Sequence, residues 1–435
     1  MSNDSENLAD VGAAMHEVIS RLYPIPRSIT GDGVRRTLGV LREIVPLEVH
    51  EVATGTPVFD WTVPNEWNVR EAYIADSSGK RVVDFARHSL HLVGYSAAVR
   101  KRMSLSELRP HLHTLPDKPD LIPYRTSYYN ATWGFCLSHK QLLAMSEGEY
   151  EVVIDATLGG GHLTYGEHFI PGETADEILF SAHTCHPQLA NDNLSGVVIA
   201  AFLARHLANL PRRRHSFRFV WGPGTIGAVT WLARNEEKAR RIKAGLILSC
   251  LGDGRTFTYK RSRRGNASVD LAVEHTLASR GQAHRLMDFS PYGYDERQYC
   301  SPGFNLPVGL LMNSQYGAFP EYHTSADDLS LVTAGALERS LHVVLEVIDV
   351  LEHDRRYVNL QPKCEPQLGR RGLYSAVGGH SSPKQFELAM LWVLNQSDGG
   401  PSLLEIARRA ELPFAVIRDA AVALEKAKLI EELPA

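Results

Sequence analysis

The chain has 435 residues, of which 44% are hydrophobic and 22% charged, and its formal net charge is −4. That length allows two or three domains with cores of their own, and the charge gives no global pull toward nucleic acid or an anionic membrane. No apolar run nears the roughly 18 residues of a membrane helix, and Met1-Ser2-Asn3-Asp4-Ser5-Glu6 lacks a signal peptide's basic and apolar regions, so a cytoplasmic protein is expected.

Leu8, Val11, Met15, Val18, Ile19 and Leu22 recur at helical spacing, and Pro24 with Pro26 ends that run. A second helix opens at Asp32 or Gly33, with Leu38, Leu41, Ile44 and Val45 apolar. From Val49 the pattern changes to short strands, among them Val49–Val52 and Arg81–Phe85, parted by Gly, Pro and Asn turns. We therefore place a small β-rich domain at 60–135, inserted into a larger α/β domain made of 1–59 and 136–356. The insert ends in a segment dense in aromatic residues with one arginine, where Arg125, Tyr128 and Trp133 are candidate substrate contacts. A guanidinium there suits a substrate carboxylate, which it binds in bidentate fashion; an interdomain contact patch accounts for the same composition.

In the larger domain Tyr150–Ile154, Asp176–Cys185, Phe217–Trp221 and Ala244–Cys250 read as strands, with helical patterns at 196–209 and about 226–240 between them. This alternation predicts an α/β fold with a mostly parallel, doubly wound sheet. Cys136, Cys185, Cys250, Cys300 and Cys364 are odd in number and lack C-x-x-C spacing, so free thiols are expected. The short basic runs at 210–215 and 261–266 read as solvated segments.

After a polar, Gly-rich connector at 370–382, the C-terminal domain, assigned to 375–435, reads as three amphipathic helices and a closing Lys428–Glu432 segment, the order of a winged helix. Its apolar positions are Leu388, Trp392 and Val393, then Leu403, Leu404 and Ile406, then Val416, Ile417, Val422 and Leu424, and Ser402 with Glu405 has capping-box spacing. The helix in the recognition position carries Arg418 and Lys426 against Asp419 and Glu425, so it lacks a face for neutralising phosphates. A protein partner or a second copy of the chain is expected there rather than DNA.

The chemistry concentrates at Ser181–Gly196. His183 and His186 leave the end of an apolar strand, and Asp192 sits just before the apolar helix that starts at Gly196. In open α/β sheets ligands bind outside the carboxyl ends of strands, and His, His and Asp are donors that Zn²⁺ accepts. Strand, His, loop, Asn-Asp-Asn-x-Ser-Gly and helix resemble the co-catalytic zinc aminopeptidase superfamily, in which that aspartate bridges two metals. The strings Cys185-His186-Pro187, Ala190–Gly196, Gly293–Cys300 and Glu321–Ser325 are similar to a bacterial family of aminopeptidase-like proteins with an inserted domain of unknown function and a C-terminal winged helix. This similarity covers nearly the whole chain.

The resemblance implies one or two zinc ions, held by a histidine of the 183–186 pair, Asp192 and His323, and hydrolysis of an amide or peptide bond in a small molecule or short peptide. It also gives Asp253 the place of a further ligand at a strand end. An extended chain rises about 3.3 Å per residue, so His183 and His186 are not expected to reach one ion together. The sequence departs from the superfamily at Pro223-Gly224-Thr225-Ile226-Gly227, where a glutamate acts as general base in zinc aminopeptidases. Glu321, Glu296 and Glu236 are candidates to replace it, with Asp295 as a neighbouring cleft residue. The other reading is a non-catalytic ligand-binding or assembly protein on the same fold.

Overall fold

Glu177–His183 is buried at every position because it becomes the middle strand of a mixed sheet. In the computed structural model, which describes residues 8–373 and 383–434, seven strands of this sheet belong to one compact unit formed by Met1–Arg264 and Met287–Leu341. In chain order they are β1 (Glu48–Ala53), β2 (His162–Ile170), β3 (Glu177–His183), β4 (Ser216–Gly222), β5 (Ile242–Leu248), β6 (Phe257–Lys260) and β7 (Val308–Met312). Their spatial order is β1-β2-β4-β3-β5-β7-β6. The centre, β4-β3-β5-β7, is parallel, while β2 and β6 join it antiparallel.

Strands covered on both faces read as continuous apolar runs, which is why β3, β4 and β5 were legible in the sequence. Phe180 pairs with Phe219 of β4 and Leu246 of β5, and all three are at most 1% exposed. Each contributes roughly 1.5–3 kcal/mol by leaving water. The helix Gly196–Ala208 starts immediately against this sheet: a Cβ at Gly196 would lie 2.2 Å from the Leu248 carbonyl oxygen, so only glycine fits.

A four-stranded antiparallel sheet in the same unit has the order Arg81–Asp84, Glu66–Ala75, Glu149–Gly159, Val99–Ser104. One of its inner strands thus comes from beyond residue 135, and the chain then passes through Gly160-Gly161 into β2. Between these strands the segment around Tyr124 runs beside the chain near His323: Pro123 bridges Thr324, and the Tyr124 N–H donates to the His323 carbonyl oxygen at 2.8 Å.

The second unit comprises Gly265–Leu286 and His342–Ala435, so the division falls within the helix Ala334–His353. It contains the helices Pro383–Gln396, Leu403–Ala410 and Phe414–Lys426 and an antiparallel sheet in the order Asp398–Ser402, Arg356–Asn359, Ile430–Glu432. The expected capping box is present: Ser402 Oγ accepts from the Glu405 N–H, and Glu405 Oε2 accepts from the Ser402 N–H. Leu388 and Val422, expected among the apolar positions, are instead 47% and 56% exposed. Residues 374–382 of the expected connector lie outside the described residues. Among the described residues no helix is long and apolar enough to cross a membrane, and all five cysteines are free.

Candidate metal centre

β3 delivers His183 at its last position, and the chain beyond it is not extended. Gln188 adopts φ +42°, and the segment folds back so that Asp192, 0% exposed, lies beneath both histidines. His183 Nε2 is 2.9 Å from Asp192 Oδ1, His323 Nε2 is 3.1 Å from Oδ2, and His186 Nε2 is 3.8 Å from Oδ2. Donor atoms of His183, His186 and Asp192 all lie within 4.8 Å of one another. Both histidines approach the same carboxylate because the chain between them is not extended. The two rings are 4.7 Å apart.

The hydrogen-bond network distinguishes the imidazoles. Asn193 is fixed by the Cys250 N–H, which its Oδ1 accepts at 3.2 Å, and by the Leu248 carbonyl, to which its Nδ2 donates at 3.0 Å. Its amide therefore turns N–H toward His183 Nδ1, 3.2 Å away, so that nitrogen is the acceptor. The proton of neutral His183 then sits on Nε2 and is donated to Asp192 Oδ1. His186 Nδ1 lies 3.3 Å from Cys185 Sγ, and the Nε2 atoms of His186 and His323 both face Asp192 Oδ2.

The electrostatics suit a cation. Burial opposes charge on Asp192, but the imidazoles of His186, His183 and His323 outweigh it and hold the carboxyl well below its usual range. Burial drives His186 well below its ordinary value, which keeps it neutral and able to ligate. Burial also pushes the Cys185 thiol up to about 12. Asp327 accepts from the backbone N–H groups of Asn191, at 2.5 Å, and Asp192, at 2.9 Å, and fixes the loop from below. Burial raises its carboxyl to about 7, with the Asp192 charge adding to the shift and those N–H bonds opposing it. Arg27, 3% exposed, donates to the carbonyl oxygens of His186 and Leu22. Gln188, Thr225, Cys250 and His323 all have positive φ, the kind of strained backbone that clusters at functional sites.

Tyrosines surround the histidines. Tyr294 stacks on His183 at 4.7 Å, Tyr322 on His323 at 3.9 Å, and Tyr124 packs against His186 at 5.1 Å and His323 at 4.9 Å. None of these three was singled out from the sequence, nor were Asn193, Asp327 and Arg27 given roles. Tyr124 neighbours Arg125 in the aromatic segment, and Tyr294 and Tyr322 lie inside the two late motifs. The signal was therefore adjacency to motifs already noted.

Other expected site residues are placed differently. Asp253 accepts from Ser314 Oγ and from the Arg255 guanidinium, and Arg255 also clasps Glu321 through two 3.0 Å bonds. Both carboxylates are thus engaged with Arg255 rather than with the histidines. Glu296 is buried against Lys260 at 2.7 Å, and Glu236 is exposed on a short helix. Arg125 is exposed, with Nη1 3.3 Å from His113, and Trp133 stacks on His111 at 3.6 Å. Tyr128 does reach the cluster's edge, its hydroxyl 3.0 Å from that of Tyr124. A Cβ at Gly224 would meet Cys185 Sγ at 3.5 Å and His183 Cβ at 3.7 Å, so this position faces the site without a side chain. Asp295 lies next to it: its Oδ1 accepts from the Thr225 N–H at 2.6 Å, burial raises its carboxyl, and His183 draws it down.

The Bacillus subtilis zinc aminopeptidase has the same fold, with a TM-score of 0.56 at 11% identity over 78% of this chain and 94% of that one. A Shewanella amazonensis peptidase M28 precursor gives 0.56 at 15% over 80% and 95%. The fold therefore places the protein among the zinc-aminopeptidase-like α/β proteins, here with a C-terminal winged helix. Residues 16–354 match the family described as domain of unknown function DUF4910, and residues 355–432 match a winged helix-turn-helix family. The chain belongs to the DUF4910 family. A Clostridium acetobutylicum protein named for polysaccharide biosynthesis and an aminopeptidase-like domain is 49% identical over 426 residues, 98% of each chain. A crystal structure from that organism, described as a peptidase, gives a TM-score of 0.94 at 48% identity over 98% of each chain.

Proposed function

We propose that the protein is a zinc-dependent hydrolase of an amide or peptide bond in a small substrate, with one ion held by His186 Nε2, His323 Nε2 and Asp192 Oδ2. The observation that carries this is the convergence of three imidazoles on one buried carboxylate. The donor set fits the ion: two imidazoles and a carboxylate are the kind and number of protein ligands that catalytic zinc takes. His183 holds Asp192 through its other oxygen, the outer contact that orients a ligand. Asp253 is bonded to Arg255 and Gly224 carries no side chain, which supports a single ion. Zinc bound there supplies Lewis acidity toward a carbonyl and toward water.

Asp295 is the group we assign to proton transfer. It is buried, it is anchored by the Thr225 N–H, and its raised carboxyl suits a general base better than a fully exposed acid. Glu321 and Glu296 are each neutralised by a cation. Asp295→Asn should lower kcat on an acyl-amide substrate by about 10²–10⁴-fold while zinc content stays unchanged. Unchanged turnover would remove Asp295 from the reaction.

The absence of a side chain at Gly224 favours a second reading, a ligand-binding or assembly protein on this fold. Ligand binding with no turnover on any acyl amide or peptide would support it. For the winged helix we propose a protein partner or a second copy, since Arg418 is paired with Asp349 and Asp419 and its helix carries no net positive face.

A further inference from the structure

Two lines of aromatic rings lead away from the histidines. On one side Tyr294, stacked on His183, packs edge-on against Tyr316 at 5.4 Å, and Tyr316 packs against Tyr292 at 5.9 Å. On the other, Tyr124 meets Tyr128 hydroxyl to hydroxyl, Tyr128 packs against Tyr129 at 6.5 Å, and Tyr129 against Trp61 at 5.8 Å. Both lines end in the open: Tyr292 is 74%, Tyr129 55% and Trp61 42% exposed. Rings this exposed add little to the core, and an exposed aromatic group continuous with a site marks a binding surface.

The charges argue for what lies on it. An aminopeptidase substrate carries an α-ammonium, which calls for a free carboxylate. Of the acids around this cluster, Glu321 and Asp253 are engaged with Arg255, Glu296 with Lys260 and Asp327 with two backbone N–H groups, which leaves Asp295, buried beside His183 and assigned above to proton transfer. Gly224 offers none. A pyranose ring meets the remaining requirement, because its C–H faces lie flat on tyrosine and tryptophan while its hydroxyl rim stays in water.

We infer that the site takes an N-acylated amino sugar within an oligosaccharide, the aromatic lines holding the sugar rings and the cluster facing the acyl amide. This rests on the hydrolase reading for the reaction, though not for the binding. In the reaction water adds across the amide: the C–N bond breaks, the acyl carbon gains hydroxyl and leaves as a carboxylic acid, and the sugar nitrogen gains the proton.

The test is titration calorimetry of the full chain with the tetramer of β-1,4-linked N-acetylglucosamine and with dialanine, in the wild type and in Tyr292→Ala and Trp61→Ala, with acetate release measured in parallel. Saturable binding of the tetramer, weakened about tenfold in the two variants, and no binding of dialanine are expected. No saturable binding of the tetramer, or binding equally strong in both variants, overturns the inference. Tetramer binding without acetate release would count against the hydrolase reading and leave the saccharide site standing. Dialanine cleavage without tetramer binding would do the reverse.

Discussion

Asp192→Asn protein is expected to bind zinc at least about 100-fold more weakly than the wild type and to lose turnover, while melting within a few degrees of it. Loss of an outer contact alone costs roughly 10–100-fold in metal affinity, and Asp192 is the only carboxylate on which three imidazoles converge among the described residues. The fold should survive because Asn keeps the size and can still accept from His183 Nε2–H, and because Asp327 holds the loop through the backbone N–H groups of Asn191 and Asp192. Chelator competition for zinc and a thermal melt measure the two effects separately. Undiminished zinc binding in the folded variant would mean that the ion is held elsewhere.

The second large effect concerns stability. Lys260 and Glu296 are both 0% exposed and 2.7 Å apart, and the ammonium also donates to the carbonyl oxygens of Ser290, at 2.8 Å, and Tyr292, at 2.6 Å. Lys260→Met leaves the Glu296 charge buried without its partner, and its second oxygen already lacks a hydrogen bond. Breaking such a pair costs about 3–5 kcal/mol, whereas removing both charges is often close to neutral. Urea unfolding should therefore show a large loss in Lys260→Met that Lys260→Met/Glu296→Leu largely recovers. The pair also fixes the loop that brings Tyr294 and Asp295 to the site, so activity should fall with the single variant even below its unfolding midpoint. A single variant as stable as wild type would mean that the two groups are solvated in the folded protein.

Much of this architecture was legible in the residues. Phe180, Phe219 and Leu246 sit in apolar runs that only a doubly covered strand explains, and Asn191–Gly196 carried both the aspartate and the helix start. β2 was missed because His162, Thr164, Gly166 and Glu167 break its apolar pattern; it lies toward the edge of the sheet, between β1 and β4. The bonding of Asp253 and Glu321 to Arg255 was not legible for a different reason. Position in a motif says nothing about Arg255, which comes between them and takes both carboxylates. The insert's contribution was misjudged by one residue, since Tyr124 rather than Arg125 turns to the histidines when Pro123 bridges Thr324. That both histidines approach Asp192 was not legible, because no local signal announces the fold-back at Gln188.

The central claim, one ion clasped by two imidazoles and one carboxylate, is tested most directly by zinc K-edge X-ray absorption on protein purified without chelators. The account predicts about one equivalent of zinc with a first shell of nitrogen and oxygen alone at roughly 2.0–2.2 Å, including two imidazoles. A scatterer near 2.3 Å would place a cysteine thiolate on the metal, and less than about 0.2 equivalents would mean that the cluster does not hold zinc at all; either result contradicts it.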